Sequence, residues 1–161
     1  MRKLGFTAAL VLIIAACGGG EDSSDDTVDD SAGTVAASSS DVPDPCTLAD
    51  DTILTTYFSG GAPEPERTEA GPIDGCRWRD ANANSLLIQV AADYDLFRPD
   101  PCDGCTKPAF GDDGYAWDSP LQSGASVVDG SSWFSVTTTG FGDGQEEVTA
   151  LLEAVYQNAT G

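Results

Sequence analysis

The sequence predicts an α+β domain: an antiparallel sheet of about five strands, with an N-terminal and a C-terminal helix packed on one face and disulfides as staples. Three observations lead there. Val148, Leu151, Leu152, Val155 and Tyr156 recur at i, i+3, i+4, i+7 and i+8, the apolar stripe of an amphipathic helix. Before that stripe, short alternating or apolar runs are separated by turn residues, which is the pattern of strands. Four cysteines fall in the same stretch, an even number that suits paired bridges. Helix, strands and helix in that order give two helices on an antiparallel sheet.

At the N-terminus, Arg2 and Lys3 precede an apolar run from Phe6 to Ile14 and the tetrad Ile14-Ala15-Ala16-Cys17. The run is shorter than the roughly 20 apolar residues that span a bilayer. A basic start, a short apolar core and small residues before a cut read as a secretory signal. The tetrad resembles a bacterial lipobox, an aliphatic residue and two small ones before a cysteine. That resemblance implies a signal peptide over residues 1–16, cleaved before Cys17, and lipidation of Cys17 on its sulfur and new amino group. Two acyl chains anchor stably where one does not. The expected location is therefore the cell membrane, lipid-anchored on the extracytoplasmic face.

Residues 17–43 read as the lipidated cysteine and an acidic tether. It holds Gly18-Gly19-Gly20, then Glu21, Asp22, Asp25, Asp26, Asp29 and Asp30 among serines, then Ala36-Ala37-Ser38-Ser39-Ser40. Such a composition buries too little apolar surface to offset its ordering entropy, so disorder is expected. About 25 flexible residues reach roughly 25–30 Å, enough to hold a domain clear of a lipid surface.

Residues 44–161 form the single expected domain. Asp44-Pro45-Cys46 is an extended start, since proline biases the residue before it away from helix. Asp50 is placed to N-cap a short helix with Ile53, Leu54, Tyr57 and Phe58 on one face, and Ser59-Gly60-Gly61 stops it. Pro63, Pro65 and Pro72 make the next segment a loop. Cys76, Trp78 and Asp80 alternate with Arg77 and Arg79 as in a half-buried strand. After a turn over residues 80–84, the low polarity of residues 86–91 suits a central hairpin partner. The stretch from Tyr94 to Phe110 reads as a long irregular connection. Residues 114–118, 125–128 and 132–138 are further strands, the last two joined at Asp129-Gly130.

Of three possible cysteine pairings, Cys46–Cys76 and Cys102–Cys105 are expected. Cys102-Asp103-Gly104-Cys105 also has the C-x-x-C form of thiol-disulfide redox enzymes. In those, a helix follows the motif, whereas here Pro99, Pro101 and Pro108 flank it and no helical pattern follows. A four-cysteine zinc site usually presents two C-x-x-C knuckles, and this chain has one.

The chain carries 27 acidic and 7 basic residues. Losing Arg2 and Lys3 with the leader would leave five positives against 27 negatives, a net charge of −22. Nucleic acid is not an expected partner, because phosphate recognition needs clustered Lys and Arg. The acidity reads first as a solubility feature or the mark of a salty habitat, with a cationic ligand or divalent metal as the sharper alternative. Calcium would take oxygen ligands, and the candidate loops are Asp112-Asp113 and Asp143 with Glu146 and Glu147. Neither follows the calcium-loop frame, so no metal site is assigned.

With no histidine, Ser-His-Asp and Cys-His catalysis and histidine-ligated zinc are absent. There is no G-x-S-x-G, no P-loop and no G-x-G-x-x-G after a strand. No catalytic residue and no cofactor are assigned. Trp78, Trp117 and Trp133 with Tyr94, Tyr115 and Phe134 are candidates either for the core or for an aromatic recognition surface. Arg77 and Arg79 lie on the strand face opposite Trp78 and are expected to pair with carboxylates. Asn158-Ala159-Thr160 fits the glycosylation pattern as a chance match.

Lipobox, acidic tether, Asp44-Pro45-Cys46-Thr47-Leu48, a short helix and Gly75-Cys76-Arg77-Trp78 together resemble a family of small actinobacterial lipoproteins. Its members carry one secreted domain of unknown function with a D-P-C-x-L opening and a C-x-W strand. Phe110-Gly111-Asp112-Asp113-Gly114-Tyr115-Ala116 is similar to that family's glycine-rich run, and the Cys102–Cys105 insertion departs from it. The resemblance implies no activity. The resulting expectation is a membrane-anchored, non-catalytic binding or protein-interaction module of the cell envelope, with an envelope protein or small ligand as partner. The alternatives are an accessory solute- or cation-binding lipoprotein and a small redox protein using Cys102 and Cys105.

Overall fold

The computed structural model describes residues 42–92 and 102–161. Cys17, the leader over 1–16, nearly all of the 17–43 tether and Tyr94 lie outside the described residues. After a 3₁₀ turn at Pro45–Thr47 come helix α1 (Asp51–Tyr57) and three strands, β1 (Glu66–Ala70), β2 (Ile73–Arg79) and β3 (Ser85–Ala91). Strands β4 (Asp113–Asp118), β5 (Gln122–Asp129) and β6 (Ser132–Thr139) precede the C-terminal helix α2 (Gln145–Thr160). Every pairing is antiparallel, and the six strands lie in the order β1-β2-β3-β6-β5-β4. Two three-stranded meanders thus join where β6 returns beside β3, which makes β3 a central strand. No helix among the described residues is long and apolar enough to cross a membrane.

Six strands, not about five, form the sheet. The additional one is β1, in the stretch expected to be a loop on account of its prolines. Pro63, Pro65 and Pro72 all fall outside Glu66–Ala70, and Gly71-Pro72 makes the two-residue turn into β2. As an edge strand exposed on both faces, β1 needs no apolar alternation, so it left no periodic signal. Its charged residues also discourage pairing with another chain. The β5–β6 hairpin is correct, but Asp129 is the last paired residue and the turn itself is Gly130-Ser131.

The side-chain period of two sorts the sheet into unlike faces. Cys76 pairs with Ile88 and Trp78 with Leu86; Ile88 and Val90 then pair with Val136 and Phe134. Val136 and Phe134 in turn face Ala125 and Val127. All of these are buried and belong to one core cluster, joined by Leu48, Ala49, Ile53 and Phe58 and by Val148, Leu151, Leu152 and Val155 of α2. The stripe of α2 is therefore the face that it buries.

Side chains at both ends fasten these layers. Asp50 Oδ1 accepts the Ile53 N–H at 2.9 Å, capping α1. The Tyr156 hydroxyl donates to Asp129 Oδ2 at 2.7 Å, tying α2 to the end of β5. Asn158 Nδ2 donates to the Leu48 carbonyl at 3.0 Å, so the glycosylation-like asparagine joins the last helix to the start of the domain. Cys46 and Cys76 are bridged with Cα atoms 5.0 Å apart, and Cys102 and Cys105 with Cα atoms 5.5 Å apart. Both separations are normal for cystines.

Candidate functional site

Helix α1, the loop after β6 and the first half of α2 enclose a cleft of about 470 Å³. Thr52, Ile53, Thr56 and Tyr57 line one side, Phe141 and Asp143 the end, and Glu147, Ala150 and Leu151 the other side. Two aromatic rings shape the wall. Phe141 meets Tyr57 edge-on at 4.9 Å between centroids and Phe58 at 5.6 Å, the T-shaped geometry that aromatic quadrupoles favour.

The loop reaches α1 because of its glycines. Gly140 has φ +81°, a conformation that side chains rarely adopt, and a Cβ there would collide with Asn84 Oδ1. Its N–H donates to the Leu121 carbonyl at 3.2 Å, which sets the departure angle from β6. Three residues on, the Ser123 hydroxyl donates to the Asp143 carbonyl. Glu147 Oε2 then accepts the Gly144 N–H at 3.0 Å, which ends the loop and starts α2.

Charge and apolar surface meet in this cleft. Asp143 Oδ2 is buried and has no hydrogen-bond partner among the described residues. The Tyr57 phenol is pushed well above its ordinary range by burial first, then by the negative charges of Asp143 and Glu147. A hydrogen-bonding interaction of its hydroxyl with the Asp143 carboxylate adds to the rise, so Tyr57 stays protonated beside that carboxylate. Tyr156 is also raised, chiefly by its hydrogen bond to Asp129.

A raised phenol means the folded state holds its proton more tightly than the unfolded chain. The stability this contributes is complete below the unfolded value of about 10 and is lost as pH climbs from there toward the folded value. Ultraviolet titration of the folded protein should show late-ionising phenols. Tyr57→Phe and Tyr156→Phe should each delete one of them. An ordinary midpoint that vanishes with Tyr57→Phe would contradict the buried, carboxylate-flanked setting.

The other candidates separate. Of the second acidic group, Asp143 and Glu147 converge on the cleft, whereas Glu146 lines a different groove with Lys107 and Glu153. Asp112 Oδ2 accepts the Gly130 N–H at 3.0 Å, and Asp113 lies 3.6 Å from Lys107. Among the described residues, no three His, Cys, Asp or Glu side chains are grouped to hold a metal.

The aromatics divide by register. Trp78 and Phe134 are core, while Tyr115, Trp117 and Trp133 lie on the opposite sheet face with Arg77 and Arg79. The Trp117 ring lies over Gly124, where a Cβ would come within 2.7 Å of it. Trp133 instead packs with Ala91 and Val128 in a second small cluster. The expected pairing of Arg77 and Arg79 with carboxylates does not occur among the described residues. The arginine that pairs is Arg67, with Asp44, because β1 lies beside the start of the domain.

No helix follows Cys105. Thr106 makes a bridge to Ala116, adding a short seventh rung beside β4. The loop is clamped by Gln145, which sequence patterns did not single out. Its Nε2 donates to the Gly104 carbonyl at 2.9 Å and to Asp118 Oδ1 at 2.7 Å, and its Oε1 accepts the Thr106 N–H at 3.0 Å. A glutamine at the first position of α2 reads as an ordinary helix former, and only its contacts reveal the clamp. Phe141 was equally silent, being one aromatic in a glycine-rich run.

No family model, no curated protein and no solved structure matches the chain.

Proposed function

We propose that this chain is a lipid-anchored, extracytoplasmic module that binds and does not catalyse, with the α1–α2 cleft as its binding site. The observation that carries the reading is the cleft itself. It combines aromatic and aliphatic walls with a few polar groups, the usual make-up of a small-molecule site, at a volume within the usual range. Nothing lining it is an activated nucleophile, and the chain has no histidine to serve as a base. The N-terminal and C-terminal helices packed on one sheet face are what make such a cleft.

The lipobox over Ile14 to Cys17, the acidic tether, and four cysteines in two bridges support placement on the outer side of a membrane. The resemblance to small actinobacterial lipoproteins supports the same assignment. Between a protein-interaction module and an accessory solute- or cation-binding lipoprotein, the cleft favours the second. Nucleic acid is not proposed as a partner.

Intact-mass analysis of the product from a bacterial host tests the anchor. The expected mass lacks residues 1–16 and carries acyl groups at Cys17, and detergent phase partition follows the lipid. Cys17→Ser should abolish both. A product that keeps Met1, or one with an unmodified residue 17, overturns the assignment.

A further inference from the structure

We propose that the α1–α2 cleft takes an organic monocation, an ammonium group on an apolar body, with Asp143 and Glu147 as its counter-charges and Tyr57 and Phe141 as its walls. This deepens the binding reading and rests on it. Charge complementarity selects the occupant. Two carboxylates line the cleft and none of the described lining residues is basic. The positive end of α2, worth about half a charge, opposes a cation there but is outweighed by two full negative charges. Part of the negative site is already dry, since Asp143 Oδ2 is buried without a hydrogen-bond partner among the described residues. The Tyr57 hydroxyl interacts with the same carboxylate, and a ligand N–H entering beside it would supply a closer donor. The faces of Tyr57 and Phe141 add cation–π attraction, which strengthens as water is excluded.

A divalent metal fits less well. Calcium takes six to eight oxygen ligands, and the walls here are largely ring and aliphatic carbon. A purely apolar ligand would leave Asp143 Oδ2 without a close donor and the Glu147 charge with only its Gly144 N–H contact. Thr52 and Thr56 also line the cleft, and Thr56 Oγ1 donates to the Thr52 carbonyl at 2.8 Å, which leaves its oxygen to accept a further N–H.

The test uses the full lipidated chain in phosphatidylglycerol nanodiscs, with 3-fluorotyrosine incorporated and the position 57 fluorine resonance assigned through Tyr57→Phe. Three probes of one shape are titrated: phenethylammonium, the neutral 3-phenylpropanol and the anionic 3-phenylpropanoate. Phenethylammonium should shift the position 57 resonance saturably and bind about tenfold more tightly than the alcohol. The anion should leave it unmoved. Asp143→Asn with Glu147→Gln should bring the cation down to the alcohol's affinity, and glutamine retains the helix-capping contact.

Equal affinity for cation and alcohol would make the cleft a plain apolar slot and overturn the proposal. So would no shift with any probe, and both outcomes are read on the unmutated chain. Loss of the cation preference leaves the anchored binding module standing. An unmodified Cys17 sinks the anchor whatever the cleft binds.

Discussion

Replacing Cys46 by Ser together with Cys76 by Ala should lower the stability of the domain by about 3–4 kcal/mol, the largest effect expected of any single cross-link here. The two residues are separated by 30 positions, and the loop they close holds α1, β1 and the turn into β2. Without the bond, the unfolded chain regains the entropy of that loop. Cys76 is also fully buried on β2, directly opposite Ile88, so alanine there leaves a small cavity under the helices. Removing Cys102–Cys105 should cost less, roughly 1.5–2 kcal/mol, because it closes only three positions and the hydrogen bonds of Gln145 still hold the loop. Equilibrium denaturant unfolding of oxidised samples measures both. Equal midpoints for the two variants would mean that the longer loop is already restrained in the unfolded chain.

Trp78→Ala should cost about 3–5 kcal/mol, the range for deleting a large buried aromatic. Only 2 % of Trp78 is exposed. It lies across from Leu86 in the cluster where the residues of the domain's start and of α2 meet the sheet. Nothing nearby can close so large a void without moving a strand or helix. Trp117→Ala should cost less than half as much, since Trp117 is only half-buried and its ring lies over Gly124 on the other face. Trp78→Phe, keeping a ring, should fall between. If Trp78→Ala and Trp117→Ala shift the denaturation midpoint equally, the assignment of the helix-covered face as the main core is wrong.

The two substitutions also mark how far local pattern reaches. Trp78 reads as inward-facing from its alternation with Arg77 and Arg79, and the sheet places it so. Trp117 and Trp133 sit in runs of the same kind, yet they face away from the helices. Which face a residue joins depends on the register of its strand with the next, and one residue of slip reverses it. Alternation within a strand does not contain that information. Hence Trp78, Trp117 and Trp133 look alike in a list of aromatics and part company in the sheet.

What one stretch of chain can settle was legible. The stripe from Val148 to Tyr156 specifies α2, because its period belongs to a single helix. The runs after residue 76 specify five of the strands, and the turn residues at 80–84 and 130–131 specify two hairpins. The even number of cysteines in the domain specified two bridges, and the pairing expected out of three possible ones is the one that the fold carries. Strand β1 was not legible, since Ala70 is its one apolar residue, too few to make a pattern, and it is held by the hydrogen bonds of β2. Nor was the cleft. Tyr57 lies on α1 and Phe141, Asp143 and Glu147 lie at the far end of the chain, so their meeting depends on the sheet order, on the close approach of Gly140 to Asn84, and on packing around Phe58. Periodicity acts through neighbours in sequence, while a binding surface is made by neighbours in space, and here six strands of pairing stand between the two.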